Sequence, residues 1–146
     1  MNDSLILTEE FYAFLTGKVS TAISRRLQRN LKLEKLNITS EQWTILYHLW
    51  VEEGLTQQEL AHLTYRDKPS ISRLINNLEK MGLVIRVNDK QDRRSNLIYL
   101  TKEGRRLKEM GMKQASLTLT EAVDGLEEGE LATAQKILDK IFKNLK

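Results

Sequence analysis

Three helix starts follow one another between Thr39 and Pro69, and they leave room only for short helices joined by short turns. Thr39 and Gln42 have the S/T-x-x-E/Q spacing of a capping box, in which two side chains satisfy orphan backbone donors reciprocally. Thr56 and Glu59 repeat it. Asp67 is a third N-cap, with Pro69 in the first turn, where a missing N–H costs little. The first of these helices carries Trp43, Leu46, Tyr47 and Trp50 and is stopped by Gly54. The second, with Leu60, Ala61 and Leu63, is about two turns long and must lean on its neighbours. The third lines one face with Ile71, Leu74, Ile75, Leu78 and Met81, and Gly82 is the expected stop.

After Gly82 the period changes. Leu83–Val87 and Leu97–Leu100 are short runs rich in β-branched and aromatic residues, and between them lies the polar stretch NDKQDRRSN. This predicts a β-hairpin with a charged tip. The flanks are helical. An N-terminal helix is expected from about Thr8 to Asn30, with Phe11, Phe14, Leu15, Val19, Ala22, Ile23 and Leu27 on its apolar side. It ends in a basic patch of Arg25, Arg26, Arg29, Lys32 and Lys35, which the dipole of a helix C-terminus favours. One long helix is expected from Thr101 to Val123, with Gly111 marking a bend or a close approach. The acidic turn DGLEEGE follows, then a helix from about Glu128 to Leu145. Its narrow stripe of Leu131, Ala134, Leu138, Ile141 and Leu145 suits helix–helix association. The predicted fold is therefore mainly α with a small β-hairpin.

Composition narrows the chemistry. The chain of 146 residues has no Cys, which excludes disulfides, zinc–thiolate sites and a thiol redox sensor. Its two His, His48 and His62, stand far apart in sequence. No Gly-rich phosphate loop, activated nucleophile or metal cluster is present, so neither an enzyme nor a cofactor is expected. No basic leader precedes an apolar run, and no stretch of about 20 apolar residues occurs. The expectation is a cytoplasmic protein without a membrane partner.

Charge is distributed unevenly. Between Arg66 and Arg94 eight basic residues face four acidic ones, a local excess of +4 in a chain of net +3. On the third helix Pro69, Ser72, Arg73, Asn76 and Lys80 fall within about 50° of the direction opposite the core. Such a face fits the major groove of B-DNA, which accepts one helix. Arg bonds guanine bidentately and Asn does so for adenine, while Pro69 and Ser70 are small enough to meet a thymine methyl or a phosphate. The N-termini of the Thr56 and Asp67 helices carry positive dipoles toward phosphate. At the hairpin tip Asn88 and Asp89 suit turn formation, and Lys90 and Arg93 add phosphate attraction. Asp92 repels phosphate, and is expected to brace Arg94 or Arg86 in an extended pose. The candidate DNA-binding set is Thr56, Gln57, Lys68, Pro69, Ser70, Ser72, Arg73, Asn76, Lys90, Asp92, Arg93 and Arg94. The bland alternatives are a solvated surface or a protein-interaction module. Acids or bulky apolar groups on the exposed face would favour the module, and that face lacks them.

The pieces ITSEQW, LTQQELA, DKPSISRLINNLEKMGL, the Asp92-Arg93-Arg94 run and LTKEG occur in this order over residues 36 to 107. In that order the chain resembles the MarR family of bacterial transcription regulators. The resemblance implies a single MarR-like domain over 1–146. Within it, residues 36–100 would form a winged helix-turn-helix lobe, and 5–32 and 102–146 helices that interlock in a homodimer. It makes the polar-faced helix the recognition helix, and matches Asp92 and Arg94 to a wing Asp-x-Arg whose Arg enters the minor groove. It implies a repressor on double-stranded DNA, in many members released by a small aromatic or phenolic effector. Trp43, Tyr47 and Trp50 could line such a pocket, although aromatic residues at helical spacing are more often core.

Overall fold

The computed structural model of the chain describes residues 9–92 and 94–146. Thr8 and Arg93, both named above, lie outside the described residues. The elements are α1 (Glu9–Ala13), a π-helical turn (Phe14–Lys18), α2 (Val19–Leu33), α3 (Ser40–Val51), β1 (Leu55–Thr56) and α4 (Gln57–Thr64). They continue with α5 (Lys68–Lys80), β2 (Val84–Asn88), β3 (Asn96–Leu100), α6 (Lys102–Arg106), α7 (Lys108–Ala122) and α8 (Glu128–Leu145).

Local signals decided the lobe. Thr39 and Gln42 form the expected capping box on α3, and Thr56 and Glu59 form theirs on α4. Asp67 caps α5 by accepting from the Ser70 N–H at 2.8 Å. Ile71, Leu74, Ile75 and Leu78 are buried on α5 and meet Leu31, Ile45, Leu46, Leu49, Leu60 and Ile98 in one core. Burying each such aliphatic side chain stabilises by about 1.5–3 kcal/mol. Met81 was expected on that face but is 42% exposed. It follows the last helical residue, where Gly82 (φ 75) turns the chain away, and its sulfur accepts from Gln42 Nε2.

The sheet has three strands in the order β1-β3-β2, all antiparallel, where only a hairpin was expected. In the hairpin Val84 faces Leu100, Arg86 faces Ile98 and Asn88 faces Asn96. The added strand is two residues long, too short to leave a periodic signal, and pairs Leu55 with Ile98 and Thr56 with Leu97.

The flanking helices differ from expectation in two places. The N-terminal helix is interrupted by the π-helical turn, with non-helical angles at Gly17 (φ 175, ψ −19), and then runs on to Leu33. The helix after Thr101 breaks at Leu107. Just before the break, the Gly104 carbonyl accepts from Trp50 Nε1 at 2.9 Å. Gly111 is not the bend but a close approach: a Cβ there would collide with the Trp50 ring, and its carbonyl accepts from Trp43 Nε1 at 2.9 Å. Trp50 is thus buried core, and Trp43 and Tyr47 pack partly buried against it. The basic patch of α2 is partly engaged, since Arg26 pairs with Glu121 of α7 at 2.7 Å. Glu121 also accepts from Asn30, and these contacts hold its carboxyl below the usual range, the Asn30 bond contributing most.

Glu53 joins the lobe to the helices that leave it. It accepts from both Arg105 Nε and Nη2 at 2.9 Å, and from the Leu100 N–H at 2.9 Å. The Arg105 hydrogen bonds, ahead of the Leu100 N–H, hold its carboxyl below the usual range against an opposing desolvation effect. A depressed folded value stabilises above the unfolded carboxylate range and is lost as pH falls through the folded value. Glu53→Gln should therefore lower stability at pH 7 by about 1 kcal/mol or less, after allowance for solvent screening at Arg105. The deficit should close as pH falls below the carboxylate range. Urea denaturation at pH 7 and pH 3 measures it, and an equal deficit at both would refute the ionic origin.

Candidate nucleic-acid interface

Three elements meet on one side of the lobe: the start of α4, the outer face of α5 and the hairpin. Pro69, Arg73, Asn76 and Lys80 are exposed on α5, as the helical projection requires, and Lys68 is exposed beside them; Ser72, which the projection also places on that face, is half-buried, as is Ser70. Asp67 stays ionised as the cap, its carboxyl held below the usual range by the Ser70 N–H.

Several residues expected to read DNA are occupied within the protein. Thr56 accepts from the Glu59 N–H at 3.0 Å, and its own N–H donates to Glu59 Oε1 at 3.1 Å. Gln57 donates from Nε2 to Ser72 Oγ at 2.9 Å and accepts from Arg86 Nε at 3.3 Å. Gln57 and Ser72 therefore clamp α4 to α5.

Arg86, absent from the candidate set, is the keystone of this side. Besides Gln57 it donates from Nη2 to Asn76 Oδ1 at 2.6 Å and from Nη1 to Glu79 Oε1 at 2.7 Å. One guanidinium so fastens β2 to both helices, which its fork of five donors allows and a lysine would not. The sequence signal was faint: a single cation inside the apolar run LVIRV, with Glu79 seven residues before it.

The hairpin tip is ordered by its own short side chains. The Asp89 N–H donates to the Ser95 carbonyl at 3.0 Å, and the Gln91 N–H donates to Asp89 Oδ1 at 3.0 Å. Asp92 braces neither the Arg94 nor the Arg86 side chain. Its Oδ1 accepts from the Arg94 backbone N–H at 3.0 Å, and its carbonyl accepts from the Ser95 N–H at 3.0 Å. A short carboxylate reaches the backbone two residues on more readily than a mobile guanidinium, and Arg86 is already held by Glu79. Lys90 and Arg94 are exposed. A cleft of about 350 Å³ separates tip from helices, with Gln57, Lys68 and Ser72 on one wall and Asp92, Arg94 and Asn96 on the other. Among the described residues no cluster suited to a metal occurs, and no helix is long and apolar enough to cross a membrane.

The MarR family model matches residues 38–95, the span from the first capping box through the hairpin tip. The organic hydroperoxide resistance transcriptional regulator of Bacillus subtilis is 38% identical over 90 residues, 60% of this chain and 61% of that protein. The chain thus matches less than two thirds of that relative's length. The fold likeness extends further. MepR of S. aureus, solved as a DNA complex, is 31% identical with a TM-score of 0.82 over 91% of this chain and 97% of that one. A mutant of MarR from E. coli, solved with operator DNA, shares the fold at a TM-score of 0.83 and 23% identity, over 97% and 99% of the two chains. With the span from the first capping box through the hairpin tip matched by the family model and the whole fold shared with a relative 31% identical, the chain belongs to the MarR family.

Proposed function

We propose that this chain is a sequence-specific DNA-binding transcription regulator, not an enzyme, that works in the cytoplasm as a homodimeric repressor on an inverted-repeat operator. The observation that carries the reading is the arrangement of cations and small polar groups around one cleft, with Lys68 on its helix wall and Arg94 on its hairpin wall. The α5 face, with Lys68, Pro69, Arg73 and Asn76 exposed, enters the major groove, and Arg94 reaches the flanking minor groove. Lys90 and Arg93 add phosphate attraction. Thr56, Gln57 and Ser70 sit at the helix starts, whose backbone N–H groups meet the phosphate backbone, while Ser72 serves the interface through its bond with Gln57, which holds those starts together. Residues 36–100 are the DNA-binding lobe, and 5–32 and 102–146 the dimerisation helices. The pairing is supported by apolar groups that a single chain leaves exposed: Phe14, Leu15 and Val19 at one end, Ile137, Leu138 and Phe142 at the other. A small aromatic or phenolic effector releases the complex.

Selection of bound sequences from a random DNA pool tests this. The expected winner is two-fold symmetric, with half-site centres about 10 bp apart. Enrichment of nothing would point instead to a winged-helix protein-interaction module. Asp92→Ala should weaken binding about two- to fivefold although it makes the tip more positive, because the turn presenting Arg94 loses its cap. Tighter binding by that variant in a fluorescence-anisotropy titration would reduce Asp92 to a tolerated surface charge.

A further inference from the structure

We propose that Arg86 sets the hydrogen-bond polarity of Asn76, so that Asn76 reads an acceptor on a base edge and prefers guanine to adenine. The inference rests on the DNA-binding reading and concerns what that interface recognises. Asn76 is exposed on α5, yet its carboxamide is not free to turn. The guanidinium of Arg86 only donates, so the atom facing Nη2 at 2.6 Å must be the oxygen. That contact is charge-assisted and short. Arg86 is in turn fixed from two other directions, by Glu79 at 2.7 Å and by Gln57 at 3.3 Å. Its side chain is only 20% exposed, so water competes weakly for it.

The consequence follows from the donor and acceptor pattern of the major groove. A bidentate Asn–adenine contact needs the oxygen to accept from N6 while the amide nitrogen donates to N7. Here the oxygen already accepts from a cation, and a second donor brought to it would stand beside that cation's N–H groups. Glu79 balances the charge of Arg86 but not the direction of those N–H groups. The atom left to read is Nδ2, a donor. Guanine offers O6 and N7, both acceptors, where adenine offers N7 and places the N6 amino group where the oxygen is blocked. The bidentate adenine contact that Asn76 suggested in sequence is thus replaced by a donor-only contact.

The test compares selected sites for the wild-type chain, Asn76→Ala, Arg86→Ala and Arg86→Lys. The position whose preference relaxes in Asn76→Ala is the one Asn76 reads. The wild type should favour guanine there. Arg86→Ala should shift the guanine-to-adenine ratio at least about fivefold toward adenine, since the freed carboxamide regains its bidentate option. Arg86→Lys, which lacks the fork, should shift it in the same direction, and it decides the matter if Arg86→Ala fails to fold. Adenine already favoured by the wild type, no relaxed position in Asn76→Ala, or an unchanged ratio in the folded Arg86 variants would each overturn the inference while leaving DNA binding intact. A wild-type chain that enriches no sequence overturns the DNA-binding reading, and this inference falls with it.

Discussion

Gly104→Ala should destabilise the fold by about 2–4 kcal/mol, the largest stability effect expected of a single added methyl group here. The added Cβ would overlap the Leu83 backbone carbonyl, with Leu100 Cδ2 at 3.1 Å and the Leu83 carbonyl carbon at 3.2 Å. The Leu83 oxygen cannot simply retreat, because it accepts from the Thr101 N–H at 3.0 Å. Moving Gly104 instead would strain the buried bond from Trp50 Nε1 to its carbonyl. An unsatisfied buried N–H adds about 1–3 kcal/mol to the overpacking cost. Gly111→Ala should cost somewhat less, since its collision is with a side chain rather than backbone, but the Trp50 ring it meets is buried and tied to Gly104 by its Nε1, so the cost is still substantial. Gly129→Ala in α8 meets nothing within 4 Å and serves as the control, where helix propensity favours Ala by up to about 1 kcal/mol. Urea titration of the three variants gives the ranking. A Gly104→Ala midpoint equal to wild type would mean that the junction between lobe and helices is far softer than its contacts require.

Gly104 also shows where sequence reading stops. Its neighbours in sequence mark it only as a glycine inside a helical pattern, while its partners, Leu83 and Trp50, come from two other elements. The features legible in the chain are those whose two halves lie within a few residues of each other. Thr39 with Gln42, Thr56 with Glu59 and Asp67 with Ser70 are such pairs, and α3, α4 and α5 begin where they predict. The hairpin was legible from the change of period, and its strands match to within a residue. The strand β1 was not, because its existence depends on the unpaired edge of β3 rather than on its own two residues. The break at Leu107 was likewise invisible, since it lies beside a carbonyl bonded to an indole 54 positions away in sequence.

The candidate interface divides in the same way. Exposure of Pro69, Arg73, Asn76 and Lys80 follows from helical geometry alone and was legible, whereas Ser72, projected onto the same face, is half-buried. The tasks of Gln57, Ser72 and Asn76 were not, because each is set by Arg86 or by the partner helix. Charge complementarity points Asp92 at an arginine side chain, but a backbone N–H two residues away is the nearer partner. In a tight turn the nearer, entropically cheaper partner wins.

Arg94→Ala should reduce DNA affinity by at least about 1 kcal/mol, roughly fivefold, and flatten its salt dependence. The slope of log affinity against log salt should fall by about 0.9 if Arg94 neutralises one phosphate charge. Arg94 is exposed at the tip, carries no ion pair among the described residues and faces the helix wall across the cleft. Its loss should therefore disturb little else. Arg94→Lys should restore most of the salt slope, since charge is kept, but less of the affinity, since a lysine lacks the planar fork that fits a narrow groove. Equal binding by Arg94→Ala and wild type at several salt concentrations would remove the hairpin from the interface. The arrangement of Asp92 sharpens the test. If Asp92 acts only by holding the backbone that presents Arg94, then Asp92→Ala should cost nothing further in the Arg94→Ala background. The two losses would then be strongly non-additive, which a double-mutant cycle measures. Full additivity would mean that the carboxylate acts on DNA independently of the arginine it positions.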